Sequence, residues 1–165
     1  MKKTITTFFM LICSVFVFAQ QADDAATTNK WIETYEKLNT AKDWNSMLSQ
    51  AESCKAEVPN WEFVYYYEGL ANFNLKNYQP AVAAFDKFIE KNTATPAAYL
   101  YRANSYLEMK EADFAIRDYE TYLQTNPNDV AVMLNKAEAR MIKKDYANYI
   151  NELTAVLAIE PTNVG

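Results

Sequence analysis

Few side chains in this sequence are of types that do acid–base or covalent chemistry. Carboxylate pairs such as Asp23 with Asp24 and Glu111 with Asp113 stand close in the chain. A hydrolytic dyad needs two carboxyls held apart across a cleft in unequal environments, and both pairs read as solvated surface. The 165 residues contain no histidine. That removes the commonest general base, most zinc sites and every Ser–His or Cys–His nucleophile. Glycine occurs only at 69 and 165, so no glycine-rich phosphate loop can form. Cys54 falls at an apolar place of an amphipathic stretch and reads as a buried structural thiol. The expectation is therefore no catalytic residue, no cofactor and no metal.

What is abundant instead is material for helices and for contact. Ala, Leu, Glu, Lys, Asn and Tyr are frequent, and glycine and proline together make only seven residues. This composition predicts an all-α protein with a core of ordinary size. Lys2 and Lys3, an apolar run from Phe8 to Phe18, and Ala19 before Gln20 form the three parts of a secretory signal peptide. Cleavage is expected after Ala19, giving an exported, periplasmic or secreted protein with no transmembrane segment left, because the run is far short of the roughly 20 residues a bilayer span needs. Cys13 makes a poor lipidation site, since Met10-Leu11-Ile12 puts no small residue before it. Losing residues 1–19 removes two lysines and no acid, so the net charge of −5 becomes −7. Nucleic acid is excluded as a partner, because phosphate binding needs clustered positive charge.

The organisation of the chain is repetitive. Pro127 and Pro161 lie 34 residues apart, and Pro59 lies 68 before Pro127. On that ladder the blocks 62–95, 96–129 and 130–163 align small residues at Gly69, Ala103 and Ala137, with Ala81 and Ala115 at a second place where the last block has Tyr149. Large apolar residues coincide at Phe85, Tyr119 and Leu153, and again at Phe88, Tyr122 and Val156. Each block reads as two amphipathic helices whose small residues let the pair approach while the large ones fill the space between. The inter-helix turns are expected near Lys76-Asn77, Lys110-Glu111 and Lys144-Asp145.

The period, the Gly/Ala, Ala, aromatic and Pro spacing, and Tyr78 or Tyr146 after the turn resemble tetratricopeptide repeats. The resemblance implies tandem helix-turn-helix units in a short right-handed α-solenoid over 28–165, after a signal peptide at 1–19 and a short linker at 20–27. Block 28–61 keeps Trp31, Asp43-Trp44 and Pro59 but has Tyr35 and Met47 at small-residue places, and is expected to be a degenerate first repeat that caps the stack. Departures lie at Thr93, which replaces a proline, at Arg140 in an aromatic place and at Tyr149.

In that family the first helix of each pair lines a concave face. The residues mapping there are Phe63, Tyr66, Tyr67, Leu70 and Phe73; Leu100, Tyr101, Asn104 and Leu107; and Leu134, Asn135, Glu138 and Met141. A row of aromatic and aliphatic groups with a few amides suits a peptide or helix of another protein, because rigid rings give contact area at low entropy cost. The basic places that clamp acidic C-terminal tails in one sub-type hold Tyr66, Ala131 and Asn135, with Asn104 alone matching, so that ligand class is not expected. The predicted function is a non-enzymatic scaffold or adaptor that binds a peptide or protein segment. The alternative is a self-assembling structural protein: the last helix, with Tyr149, Ile150, Leu153, Val156, Leu157 and Ile159, carries more apolar surface than one neighbour covers, which makes a homodimer the other candidate partnership, with Tyr149, Leu153 and Leu157 as candidate contacts.

Overall fold

A computed structural model describes residues 24–161. The expected signal peptide, Cys13 and the last residues of the third block lie outside the described residues. Two compact units divide the chain between Trp61 and Glu62.

In the first unit, helix α1 covers residues 24–41, α2 is Trp44–Ser49 and α3 is Ala51–Glu57. Residues 24–27, expected in a linker, are already helical. Asp24-Ala25-Ala26 is a good helix-forming start, and the Thr28 hydroxyl donates to the Asp24 carbonyl at 2.8 Å. Met47, Ala51, Cys54 and Val58, spaced by four, three and four, bury one stripe together with Trp31 and Tyr35. The Trp31 indole donates to the Glu57 carboxylate at 3.0 Å, and the Tyr35 ring lies between Trp31 and Trp61 at 6.0 and 5.8 Å. Cys54 is fully buried in this core.

The second unit is three helical hairpins: α4 (Phe63–Asn74) with α5 (Tyr78–Lys91), α6 (Pro96–Glu108) with α7 (Ala112–Leu123), and α8 (Val130–Ile142) with α9 (Tyr146–Ile159). Among the described residues the elements are all helical, a tetratricopeptide-type solenoid of helix pairs. Close approach within the first pair needs Gly69: a Cβ there would come within 2.7 Å of the Phe85 ring, which is fully buried. Ala103 and Ala137 hold the equivalent places, both buried. Pro96 stands in the first turn of α6, where its missing N–H costs nothing.

Every hairpin turns on a lysine in the left-handed region, Lys42, Lys76, Lys110 and Lys144, at φ of 54°, 63°, 63° and 62°. These four are spaced by 34 residues, so the backbone strain itself repeats. Two hydrogen bonds close each turn: the Lys76 N–H donates to the Phe73 carbonyl at 2.9 Å and the Asn77 N–H to the Asn72 carbonyl at 2.8 Å, and the other three turns match. This is the Schellman closure, which satisfies carbonyls the helix end would orphan. Those bonds offset the ~1–2 kcal/mol that a left-handed conformation costs an L-residue with a Cβ.

Candidate partner-binding groove

The row of candidate residues sits on α4, α6 and α8. α4 neighbours α6 and α6 neighbours α8, so the first helices of the pairs form one layer. Within it the row divides. Leu70 and Leu107 are buried. Phe63 packs edge-on to Phe88 at 5.1 Å and Tyr66 against Phe88 at 5.4 Å, while Phe73 meets Tyr101 at 5.5 Å and Tyr101 stacks on Phe85 at 6.1 Å. These rings fill the space between hairpins. Leu100 packs in the same way on the core of the second and third hairpins. Tyr67 lies half-buried against Tyr66 at 5.7 Å.

The remaining members keep surface. Leu134 and Met141 are exposed on α8, one helical face two turns apart. Asn104 and Asn135 are half-buried. The Asn104 Oδ1 accepts from the Tyr119 hydroxyl at 2.7 Å and from Asn135 Nδ2 at 3.5 Å, which leaves the Asn104 Nδ2 without a partner among the described residues. Burial, with Glu138 and Glu108 nearby, raises the Tyr119 phenol above its ordinary range. Burial likewise pushes Tyr66 up to about 12, with the neighbouring Tyr101 and Tyr67 phenols adding to it. The polar floor of this layer is therefore an amide pair bordered by acidic groups.

On α9 the candidate self-association residues split too. Tyr149 and Leu153 are half-buried, and Leu157 is exposed. Ile150, part of the apolar surface expected on this helix, and Tyr146, which that expectation leaves out, are its most exposed large apolar side chains. The helical spacing of Tyr146 with Ile150, Leu153 and Leu157 is the signal that could have found it.

A buried ion network escaped the sequence reading. Arg102 grips Asp118 with Nε–Oδ2 at 2.6 Å and Nη2–Oδ1 at 2.8 Å, and its Nη1 reaches Asp86 at 2.7 Å, while the guanidinium covers the Tyr99 ring at 5.5 Å. Asp118 is 1 % exposed. Burial pulls against the charged guanidinium, but Asp118 and then Asp86 outweigh it and raise the Arg102 pKa. One repeat later Lys136 pairs with Glu152 at 2.8 Å, both largely enclosed. Each pair is a base followed by an acid sixteen residues on, so the 34-residue period carried this signal as well. Arg140, in an aromatic place, bonds Glu120 at 2.9 Å and Asp145 at 3.2 Å. Asp113 of the Glu111/Asp113 pair is held by Lys143.

Comparison with known proteins agrees with this geometry. Residues 63–93 match the family model for the tetratricopeptide repeat. The chain is similar to Hsp70-Hsp90 organizing protein 2 of Arabidopsis thaliana, 24% identical over 144 residues that make up 87% of this chain and 25% of that protein. It thus spans about a quarter of that relative's length. In fold it resembles the MamA RS-1 ArsTM double mutant, with a TM-score of 0.74 at 18% identity over 82% of this chain and 76% of the other. It also resembles the second TPR domain of human RPAP3 in complex with the HSP70 peptide SGPTIEEVD, with a TM-score of 0.55 at 19% identity over 60% of this chain and 82% of the other.

Proposed function

We propose that this chain, whose helix pairs share the tetratricopeptide-repeat fold, is a non-catalytic scaffold holding a peptide segment of another protein on the layer formed by α4, α6 and α8. The observation that carries the reading is the Asn104 amide donor, without a partner among the described residues, on a layer that also carries the exposed Leu134 and Met141. An amide can bond a peptide backbone while flanking apolar groups take side chains. The solved RPAP3 relative holds a peptide ending in Glu-Glu-Val-Asp. Here the acidic Glu108 and Glu138 border the same layer, and the cations Arg102 and Lys136 are engaged by carboxylates. The segment is therefore neutral or basic, since an acidic tail would meet like charge while the cations within α6 and α8, Arg102, Lys136 and Arg140, are already engaged by carboxylates.

The test is fluorescence anisotropy of the full chain against neutral, basic and acidic peptides of equal length. Neutral or basic peptides should bind, and Leu134→Ala with Met141→Ala should weaken them about 10-fold with unchanged helicity. Equal or better binding of the acidic series would overturn the charge reading. Insensitivity to the double variant would move the site elsewhere. Tyr66→Ala with Tyr101→Ala is the wrong probe, because Tyr66 packs on Phe88 and Tyr101 on Phe85.

The compartment belongs to the same proposal. Residues 1–19 read as an export signal, which makes the scaffold periplasmic or secreted, with a mature chain that starts at Gln20.

A further inference from the structure

In the first-helix layer α6 has a neighbour on each side, α4 and α8, so its polar groups can be compared place by place along the repeat. Leu70, Asn104 and Glu138 occupy one place in successive hairpins, and Asn74, Glu108 and Ile142 the place four residues on. Leu70 is buried, and Ile142 packs against the core of the second and third hairpins. Asn74 spends its Nδ2 on the Leu70 carbonyl at 2.8 Å. The other three, Asn104, Glu108 and Glu138, converge on one phenol. The Tyr119 hydroxyl donates to the Asn104 Oδ1, and Glu138 and Glu108 are the carboxylates whose charge acts on it. Both glutamates are exposed, and neither joins an ion pair among the described residues. The Tyr78 hydroxyl donates to the Glu108 carboxylate. Lys110, the cation nearest to Glu108 in the chain, stands beyond the end of α6 in the hairpin turn.

We infer that the segment held on this layer presents a lysine or arginine at Asn104, its cation held by the Glu108 and Glu138 carboxylates and its backbone carbonyl by the Asn104 Nδ2. This rests on the reading of the layer as a peptide holder and adds the residue type that the layer selects. Asn104 and Glu108 are four residues apart on α6, and Asn135 and Glu138 three apart on α8, so each helix sets an amide and a carboxylate on one face. The Asn135 Nδ2 reaches the Asn104 Oδ1 at 3.5 Å and ties the two sets together across the helices. The amide donor by itself accepts any residue, because every residue has a backbone carbonyl. The carboxylates are what discriminate. Two of them around one phenol with no cation between repel each other and any acidic ligand, and a basic side chain relieves both costs. Arg102, Lys136 and Arg140 cannot supply that cation from within α6 and α8, because each is already held by a carboxylate.

The test is fluorescence anisotropy of the full chain with labelled peptides identical except at one central position, which is lysine, arginine, norleucine or glutamate. The lysine and arginine peptides should bind about 5-fold tighter than the norleucine peptide, as expected for solvent-facing ion pairs, and the glutamate peptide more weakly than it. Glu108→Gln with Glu138→Gln keeps an acceptor for Tyr78 and should bring the lysine peptide down to the norleucine level with unchanged helicity. Glu138→Lys should turn the preference towards glutamate. High salt should shrink the lysine preference in the wild type, because exposed charges are screened. Equal binding of lysine and norleucine peptides, or a lysine preference that survives the double change, overturns the inference and leaves the layer reading standing on the norleucine peptide. Failure of every peptide to bind overturns both.

Discussion

Gly69 is where a single missing carbon matters most. Replacing it with alanine would raise helix propensity by about 1 kcal/mol, yet the new Cβ would stand 2.7 Å from the ring of Phe85, a residue with no exposed surface to move into. Overpacking of this kind costs about 1–3 kcal/mol. Gly69→Ala should therefore destabilise the protein in urea denaturation, and Gly69→Ala with Phe85→Leu should recover part of the loss. Tyr66 makes a pH prediction. Its phenol sits at about 12 in the fold and near 10 in an unfolded chain. The neutral form is the one the fold prefers, so this stabilisation is complete below pH ~10 and is lost as pH rises through about 12. Tyr66→Phe should show a shallower alkaline decline in a pH series of thermal melts. Gly69 was legible from the sequence as a close-approach residue; the shifted phenol was not, because burial of Tyr66 depends on Phe85 and Phe88 from the next helix.

At the scale of elements, the buried guanidinium of Arg102 joins α5, α6 and α7 through Asp86 and Asp118. Removing the guanidinium strands the buried Asp118 carboxylate, whereas Arg102 would keep Asp86 if Asp118 were lost. Arg102→Met should cost about 3–5 kcal/mol in chemical denaturation. Arg102→Met with Asp118→Leu should cost far less than the two single changes added together, because no charge is then left buried. The helix pairs themselves were readable, since their apolar period and the 34-residue recurrence are local in sequence. The left-handed lysines were not. Nothing in Lys76, Lys110 or Lys144 favours a positive φ, and it is the two hydrogen bonds closing each turn that hold them there.

For the whole molecule, export is the prediction that composition makes most directly. Expression of the 165-residue chain in a secreting host should yield an N-terminus at Gln20 by mass spectrometry, and an intact Met1 in the mature protein would reject the signal reading. The sequence by itself determined the all-α class, the repeat and the residues that could reach the first-helix layer, because periodicity and small-residue spacing are properties of the chain alone. Only the tertiary structure decided how those residues divide. Phe63, Tyr66, Phe73 and Tyr101 spend their rings on the space between hairpins, while Asn104, Leu134 and Met141 keep surface. A helical period marks a face as apolar without saying whether another helix lies against it. Among the described residues a following hairpin lies against Ile116 and none lies against Ile150, and that is a fact of packing.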